Sequence, residues 1–410
     1  MAVMTTTVTN EPLLRLRGFR NLFLAGAVSQ LGSQISYVAL PLLAVTALGA
    51  GAGQLGLLAA LGTLTVLVLG LPAGAWVDRV RRRPVMIATD LLRAGVLLSV
   101  PLAWWGGWLS MAQLYVVAVL TGAGTLLFDV AAYSIVPGLV GRERLTAANT
   151  LLVGTGAGMD VAGRSVAGVL VQVAGAPVAI LLDALSYLWS AAWLRGVPEP
   201  RTTPREPEPL GRQIAEGVRF LFGEPILVTA LLQGTMANLA FPLCSVLLPI
   251  VLVQQLGRPE WVLGAFLAAG GLGALAGSAS AHAIGRRLGT GRAAWLTSLL
   301  TTPAAFFVPC LPLGGAWVWA GAVAWFVLTF RTGLNNVLLV SLRQRVTPDP
   351  MLGRMTATMR LLLTGALGAG GLLAAAVGEL WGTGPALALG ACVMALSWLP
   401  YVRSPLRHQP

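Results

Sequence analysis

The chain has 410 residues, of which 56% are hydrophobic and only 10% are charged. A soluble domain is nearer a quarter charged, so this composition excludes a protein whose whole surface faces water. The formal net charge of +12 would point to nucleic acid only if the basic residues formed a binding surface, and their distribution along the chain gives them another role. The sequence therefore predicts a membrane protein.

Twelve segments of the chain are long and apolar enough to cross a bilayer as helices, which takes about 20 residues each. The first 18 residues precede these segments and lack the apolar core and cleavage site of a signal peptide. The predicted spans, in chain order, are 19–47, 54–76, 85–106, 111–136, 146–172, 176–194, 225–254, 261–283, 291–311, 315–341, 355–378 and 383–402.

The arginines orient these spans, because short cytoplasmic loops of membrane proteins collect positive charge. The N-terminal segment, every even-to-odd connection and the C-terminal tail carry arginines, whereas the opposite connections share one, Arg258. We therefore expect both termini in the cytoplasm and the chain in the cell membrane, in contact with the lipid bilayer. The basic charge thus reports topology and not nucleic-acid binding.

A polar stretch between spans six and seven divides the chain into two halves of six spans each. Its first part is rich in Pro, Glu and Arg and is typical of a linker. In IAEGVRFLF (214–222) apolar side chains share one helical face, which predicts a short helix on the inner membrane surface. The predicted divisions are an N-terminal segment, 1–18; a first half, 19–194; a linker, 195–224; a second half, 225–402; and a tail, 403–410.

The two halves look like repeats of each other. The stretch GLPAGAWVDRVRRRP (70–84), after span two, has a counterpart in AGSASAHAIGRRLGTGR (276–292), after span eight. Similar pairs relate spans four and ten, and spans five and eleven. Two repeated six-helix halves are a transporter architecture, with the substrate near the middle of the membrane where the halves meet.

The loop between spans two and three resembles the signature loop of the major facilitator superfamily through Gly74, Asp78, Arg79, Arg82 and Arg83. The runs TDLLRA (89–94) and LLDALSYLWSA (181–191) resemble the branch of drug and siderophore exporters that includes macrolide-efflux and enterobactin-export proteins. The resemblance implies an all-α membrane protein of the major facilitator fold, with twelve transmembrane helices in two pseudo-symmetric halves. It also implies a monomer, and a loop that latches the halves in the outward-open state.

The chemistry of this loop can also be interpreted without the resemblance. Gly74 permits close packing of helices, and the carboxylate of Asp78 needs the arginines around it as partners. We expect Asp90, Arg93 and Asp129, near the same end of spans three and four, to complete the latch. Arg360 is a candidate partner from the other half. The alternative is that the arginines, above all Arg81 where the family more often has glycine, only fix the topology.

An ionisable residue inside a span costs roughly 2.5–3.5 kcal/mol and is a hypothesis of function by default. Asp160 and Arg164 lie four residues apart on one face of span five, either as a static ion pair or as a site of proton coupling. Asp183 matches an aspartate typical of the family and is a second candidate for proton coupling or a capped residue. Arg331, in span ten, either pairs with a carboxylate across the cavity or binds an anionic substrate.

Polar and aromatic side chains on spans one, seven and ten are candidates for substrate contact, because these spans line the cavity in the resembled fold. Three of them follow one face of span one at helical spacing, and hydrogen bonds between helices are the alternative role for them. The candidates are Gln30, Gln34, Tyr37, Met236, Asn238, Phe241, Arg331, Asn335 and Asn336.

These patterns predict a secondary transporter that exports amphipathic small molecules in exchange for protons. An importer of a small nutrient and a lipid-translocating protein are the alternatives. No ATP-binding loop or catalytic constellation occurs in the sequence, so we expect neither an enzyme nor a cofactor, and an ion gradient supplies the energy. Gly163-Arg164 stands where antiporters of the family usually have Gly-Pro, which weakens the prediction of antiport.

Overall fold

The structure is a computed structural model that describes residues 12–77, 79–199, 210–402 and 404. Helices make up almost all of this part of the chain, and no strand occurs in it. The helices are α1 Arg17–Leu48, α2 Ala52–Val77, α3 Arg82–Trp105, α4 Met111–Val140, α5 Leu145–Ala174, α6 Ala176–Leu194, α7 Leu210–Gly223, α8 Pro225–Ser245, α9 Glu260–Leu288, α10 Thr290–Leu300, α11 Thr302–Ala305, α12 Ala316–Val346, α13 Asp349–Trp381, α14 Thr383–Leu396 and α15 Leu399–Val402.

The predicted spans coincide with these helices, and the all-α prediction is confirmed. Within the described residues, ten helical segments are long and apolar enough to cross a membrane. The predicted fifth span is α5, unbroken over 30 residues, and the predicted ninth begins as α10 and continues in shorter helical pieces. Neither is among the ten, so the number twelve stays a prediction.

The apolar composition explains why the chain folds in this way. In a bilayer every backbone N–H and C=O must find a partner within the protein, and a helix supplies one for each. The turns between helices use glycine where the backbone must reverse. Gly49 ends α1 with a φ of 62°, a left-handed conformation that glycine adopts without a steric penalty.

The two ends of the bundle differ in charge. We call the end with the arginine-rich connections the basic face and the other end the opposite face. The described parts of the connections at the basic face are 79–81, 141–144, 195–199, 289 and 347–348.

The halves meet through two pairs of helices, α2 with α13 and α5 with α9. In the predicted repeat, α2 corresponds to α9 and α5 corresponds to α13. The two contacts are therefore equivalent under the internal repeat, as expected for two halves with the same fold.

Glycines allow these helices to touch near the opposite face. A Cβ atom on Gly168 of α5 would lie only 2.4 Å from the Cα of Gly264 in α9. A Cβ on Gly56 of α2 would lie 2.5 Å from the backbone nitrogen of Ala375 in α13. Small residues let transmembrane helices approach closely enough for backbone contact, and they take the place of a hydrophobic driving force that lipid does not supply.

Hydrogen bonds close the same end of the molecule. The Glu379 carboxylate accepts from the Gly53 N–H at 3.1 Å, and the Gln254 amide donates to the Val45 carbonyl at 3.1 Å. In the described part of the chain, the hydrogen bonds between the halves lie near the opposite face.

Toward the basic face the halves diverge. A Cβ on Gly368 of α13 would lie 3.0 Å from Leu64 of α2, but one on Gly365, closer to the basic face, would lie 3.7 Å from Leu67. The next residue of α2, Val68, is 70% exposed. The bundle is thus sealed at the opposite face and wider at the basic face.

The linker contains the expected short helix, but this helix packs on protein. Helix α7 begins at Leu210, and a Cβ on Gly217 would lie 2.9 Å from the carbonyl oxygen of Arg354 in α13. Leu221 is fully buried, and Glu216 forms an ion pair with Arg354. The helix therefore covers the start of α13, a contact that the amphipathic pattern alone did not predict.

The α5–α9 crossing generates a first prediction. Gly168→Ala should destabilise the protein by about 1–3 kcal/mol, because the new methyl group overpacks a backbone contact. Gly158→Ala on the same helix is the matched control, since a Cβ there has open space around it. Thermal unfolding in detergent should give a lower melting temperature for Gly168→Ala alone. Equal melting temperatures for the two variants would contradict the crossing.

Candidate functional site

A cavity of about 400 Å³ lies between the two halves. Helices α1, α2, α4 and α6 of the first half and α8, α9 and α13 of the second contribute to its wall, which is mostly apolar. Two of the predicted contact residues, Tyr37 and Phe241, line it. The Phe241 ring packs against Trp325 with 5.3 Å between ring centroids. The cavity has the apolar wall with a few polar groups that is typical of ligand sites.

Asp183 supplies an acidic group to this cavity. The residue lies on α6, fully buried, and the Ser186 hydroxyl donates to its Oδ1 at 3.2 Å. Its Oδ2 has no hydrogen-bond partner in the described part of the chain. A Cβ on Gly32 of α1 would lie 2.3 Å from Oδ1, so the carboxylate fits between α1 and α6 only because residue 32 is glycine. Asp183 is thus a buried carboxylate at the edge of the cavity.

A second buried carboxylate, Asp90, forms an ion pair with Arg93 one turn further along α3. The Arg93 guanidinium also donates to the Thr125 hydroxyl at 3.3 Å. Its carbon lies 4.1 Å from the centroid of the Tyr187 ring and 4.8 Å from that of Phe128. Ion pairing, hydrogen bonding and two cation–π contacts together compensate the desolvation of the charge.

The cluster around Asp90 and Arg93 adjoins the central cavity. The hydroxyl groups of Ser33 and Tyr187 are 2.7 Å apart, and both residues line the cavity together with Thr125. The prediction placed Asp90 and Arg93 in the latch with Asp78. Among the described residues the partners of the pair lie on α3, α4 and α6, and its part in the latch stays a prediction.

The loop itself is held by a residue that the sequence did not single out. The Glu199 carboxylate accepts from the backbone N–H of Arg82 at 2.8 Å and from that of Arg83 at 3.3 Å. It thereby caps the free N–H groups at the start of α3, where a negative charge is favoured. Arg79 is exposed. Asp78 and the surroundings of Gly74 lie outside the described residues, so the latch stays a prediction.

A second cavity, of about 280 Å³, lies in the first half and includes Gln30, Gln34, Arg93 and Asp129 in its wall. Ser33 and Thr125 belong to both walls, so it adjoins the central cavity. Asp129 lies on α4 in the wall of this cavity, and its part in the latch stays a prediction.

The predicted polar stripe of α1 packs against α5. A Cβ on Gly156 would lie 3.0 Å from the Gln30 amide nitrogen, and one on Gly163 would lie 2.5 Å from the Gln34 Cβ. The glycines of α5 are therefore used for close packing with α1. Asp160 and Arg164 lie on the same helix, but their side chains are outside the described residues. Their role in proton coupling stays a prediction.

The candidates from the second half occupy three different places. Arg331 is buried, and it donates to the Ser397 hydroxyl at 2.8 Å and the Met394 carbonyl at 3.3 Å. Asn335 donates to the Ser298 hydroxyl at 3.1 Å. Both side chains thus point into the packing of α12 with α10 and α14 and away from the central cavity, which corrects the expected substrate contact.

Of the remaining three candidates, Asn336 lies on α12 and is exposed, whereas Asn238 and Met236 lie on α8. The Asn238 amide donates to the Leu363 carbonyl at 3.2 Å and lines a third cavity. Met236 is half-buried. Among the described residues, no cluster of His, Cys, Asp or Glu could hold a metal ion.

The Asp90–Arg93 pair generates a second prediction. Asp90→Asn should destabilise the protein by about 3–5 kcal/mol, because it leaves a buried guanidinium without its counter-ion. The double variant Asp90→Asn/Arg93→Gln should lose less stability than the two single variants summed. A double-mutant cycle from melting in detergent measures this coupling. Additive losses would show that the two groups are not an energetic pair.

Comparison with known proteins identifies the family to which this architecture belongs. The family model of the Major Facilitator Superfamily matches residues 22–371. The multidrug efflux pump Tap of Mycobacterium bovis and Mycobacterium tuberculosis is 30% identical over 302 residues, which cover 69% of this chain and 70% of the pump. The uncharacterized MFS-type transporter YfiS of Bacillus subtilis is 25% identical over 391 residues, or 90% of this chain and 89% of YfiS.

Solved structures share the fold at low identity. A bacterial homologue of the iron transporter ferroportin in its inward-facing state gives a TM-score of 0.75 at 18% identity, over 96% of this chain and 99% of that chain. The nucleoside transporter NupG gives 0.71 at 10% identity, over 94% and 99%. The chain belongs to the major facilitator superfamily and is a membrane transporter, not an enzyme.

Proposed function

We propose that the protein exports amphipathic small molecules from the cytoplasm and takes up protons in exchange. The observation that carries the proposal is the apolar central cavity with the buried Asp183 carboxylate at its edge. Such a wall accommodates ligands of varied shape by contact and offers few hydrogen bonds for a sugar or another polar nutrient. The Tap relatives are multidrug efflux pumps, which is in keeping with this proposal.

Asp183 is the site at which we place the proton. A carboxylate removed from water is stable only when it is paired, hydrogen-bonded or protonated. Asp183 accepts a hydrogen bond from the Ser186 hydroxyl, and its second oxygen has no hydrogen-bond partner among the described residues. A proton on Asp183 and a substrate would bind at the same cavity. The binding of one therefore changes the affinity for the other, which is the coupling that an exchanger needs.

The two faces of the bundle define where the substrate enters in the proposed export cycle. We take the basic face as cytoplasmic, because arginines mark the inner loops. In the described conformation the halves are joined at the opposite face, through Gly168 and Gly264, and diverge at the basic face. A substrate then enters from the cytoplasm, and rocking of the halves exposes it to the outside. The proton travels in the other direction through the same site.

Asp160 and Arg164 remain a second place for coupling. They lie on α5, the helix that contacts both the α1 stripe and α9. Protonation of Asp160 would release Arg164 and loosen the helix that joins the halves. We propose the pair as an auxiliary site, and the experiment below separates it from Asp183.

Proton flux and substrate flux are measured together in inverted vesicles with a pH-sensitive dye. The panel of compounds comprises lipophilic cations, macrolides and siderophores. We expect at least one compound to collapse the proton gradient with the wild-type protein. Asp183→Asn should reduce that flux to the level of protein-free vesicles, because the variant carries no exchangeable proton in the cavity. Glu143→Gln, which changes an exposed carboxylate, is the matched control.

Each further outcome has one meaning. If Asp160→Asn alone abolishes the flux, coupling belongs to α5 and not to Asp183. If a compound moves without protons, the exchange of protons is wrong and efflux stands. If no compound of the panel moves, the efflux proposal loses its support and import or lipid translocation takes its place.

A further inference from the structure

A third cavity, of about 270 Å³, lies in the second half between α8, α12 and α13. It occupies the part of the molecule toward the basic face, where the halves diverge. Leu367 belongs to its wall and also to that of the central cavity, so the two spaces adjoin. None of the functions proposed above uses it.

The wall of this cavity is positively charged. Arg343 and Arg360 line it, and its wall, as far as the chain is described, contains no acidic residue. Neither arginine forms an ion pair within the described part of the chain.

The two arginines differ in burial and in hydrogen bonding. The Arg343 Nε donates to the Leu339 carbonyl at 3.1 Å, and the residue is half-buried. This bond fixes the base of the guanidinium and leaves its outer nitrogens for another acceptor. Arg360 is exposed. A half-buried and an exposed guanidinium that line one cavity are suited to an anion with several oxygens, because the planar fork of arginine pairs with carboxylate or phosphate through two bonds.

The rest of the cavity wall has a polar part and an apolar part. Hydroxyl and amide groups of Asn238, Gln344 and Thr364 can complete the coordination of an anionic head group. Met355, Met359 and Leu363 line the same space, and thioether side chains adapt to chains of varied shape. The wall thus combines a polar, basic part with an apolar part.

We propose that this cavity binds the anionic head group of an amphiphile, with phosphate or carboxylate at Arg343 and Arg360 and the apolar tail along the methionines. The same chemistry belongs to a soluble amphiphilic anion and to a phospholipid of the inner leaflet. The binding does not depend on proton exchange or on efflux. Its test therefore needs no transport.

The probe is decyl phosphate, titrated calorimetrically against the full-length protein in phosphatidylcholine nanodiscs. Decyl glucoside is the neutral probe and inorganic phosphate is the probe without a tail. We expect Arg343→Gln and Arg360→Gln each to weaken decyl phosphate binding by roughly tenfold or more, the loss expected for a charge-assisted hydrogen bond. Arg345→Gln, which changes an exposed arginine on the same helix outside the cavity, should leave binding unchanged.

Each possible result of the titration leads to a different conclusion about the site. Equal affinity for decyl phosphate and decyl glucoside, or binding that neither arginine variant weakens, would overturn the site. Equal affinity for inorganic phosphate would overturn its amphiphile character. Nanodiscs that contain phosphatidylglycerol identify the source: competition with decyl phosphate assigns the site to the lipid, and undisturbed binding assigns it to a soluble anion. Arg360 is exposed, so its variant is expected to fold and keeps the test decisive.

Discussion

Burial of ionisable side chains in an apolar bundle is the constraint on which the rest of this structure depends. A charge away from water must be paired or neutralised. Arg93 meets this requirement through Asp90, Thr125 and the faces of two aromatic rings. Asp183 lies in the same half, and among the described residues no cation forms an ion pair with it. The pairing of Asp90 with Arg93 and the position of Asp183 at the central cavity are the reasons for proposing Asp183 as the proton site.

The same helices that bury these groups also join the halves. Close crossings at Gly168 and Gly264, and at Gly56, bring backbones together at the opposite face. Because the contacting pairs are mates under the internal repeat, a rocking motion that opens one pair of ends can close the other. Asp129 lines the second cavity, in the first half, and Arg360 lines the third cavity, in the second half.

Much of the fold could be predicted from the sequence, because hydrophobic length and arginine position act locally along the chain. The positions of Asp183, Tyr37 and Phe241 along their helices could also be predicted from the sequence, and all three residues line the central cavity. Arg331 and Asn335 show the limit. Their depth in α12 was right, but which way a side chain points around a helix depends on the neighbouring helices, and both bond within the second half.

Residues that matter through packing were missed for a related reason. Ser33 and Tyr187 are separated by 154 positions in the chain and meet through their hydroxyls. Gly32 makes room for Asp183, and Glu199 caps α3 from beyond α6. The small residues at 32 and 36, one turn apart on α1, were the available signal. They mark a face on which another helix approaches, but not which helix.

Infrared spectroscopy of the reconstituted protein tests the central claim, that Asp183 carries the proton. Spectra of wild type and Asp183→Asn are recorded over a pH titration, and their difference is taken in the region of the carboxylic acid C=O stretch. The account predicts a band of a protonated carboxyl group in a dry environment that is present in wild type and absent from the variant. Superimposable spectra, with the same carboxyl bands at every pH, would contradict it.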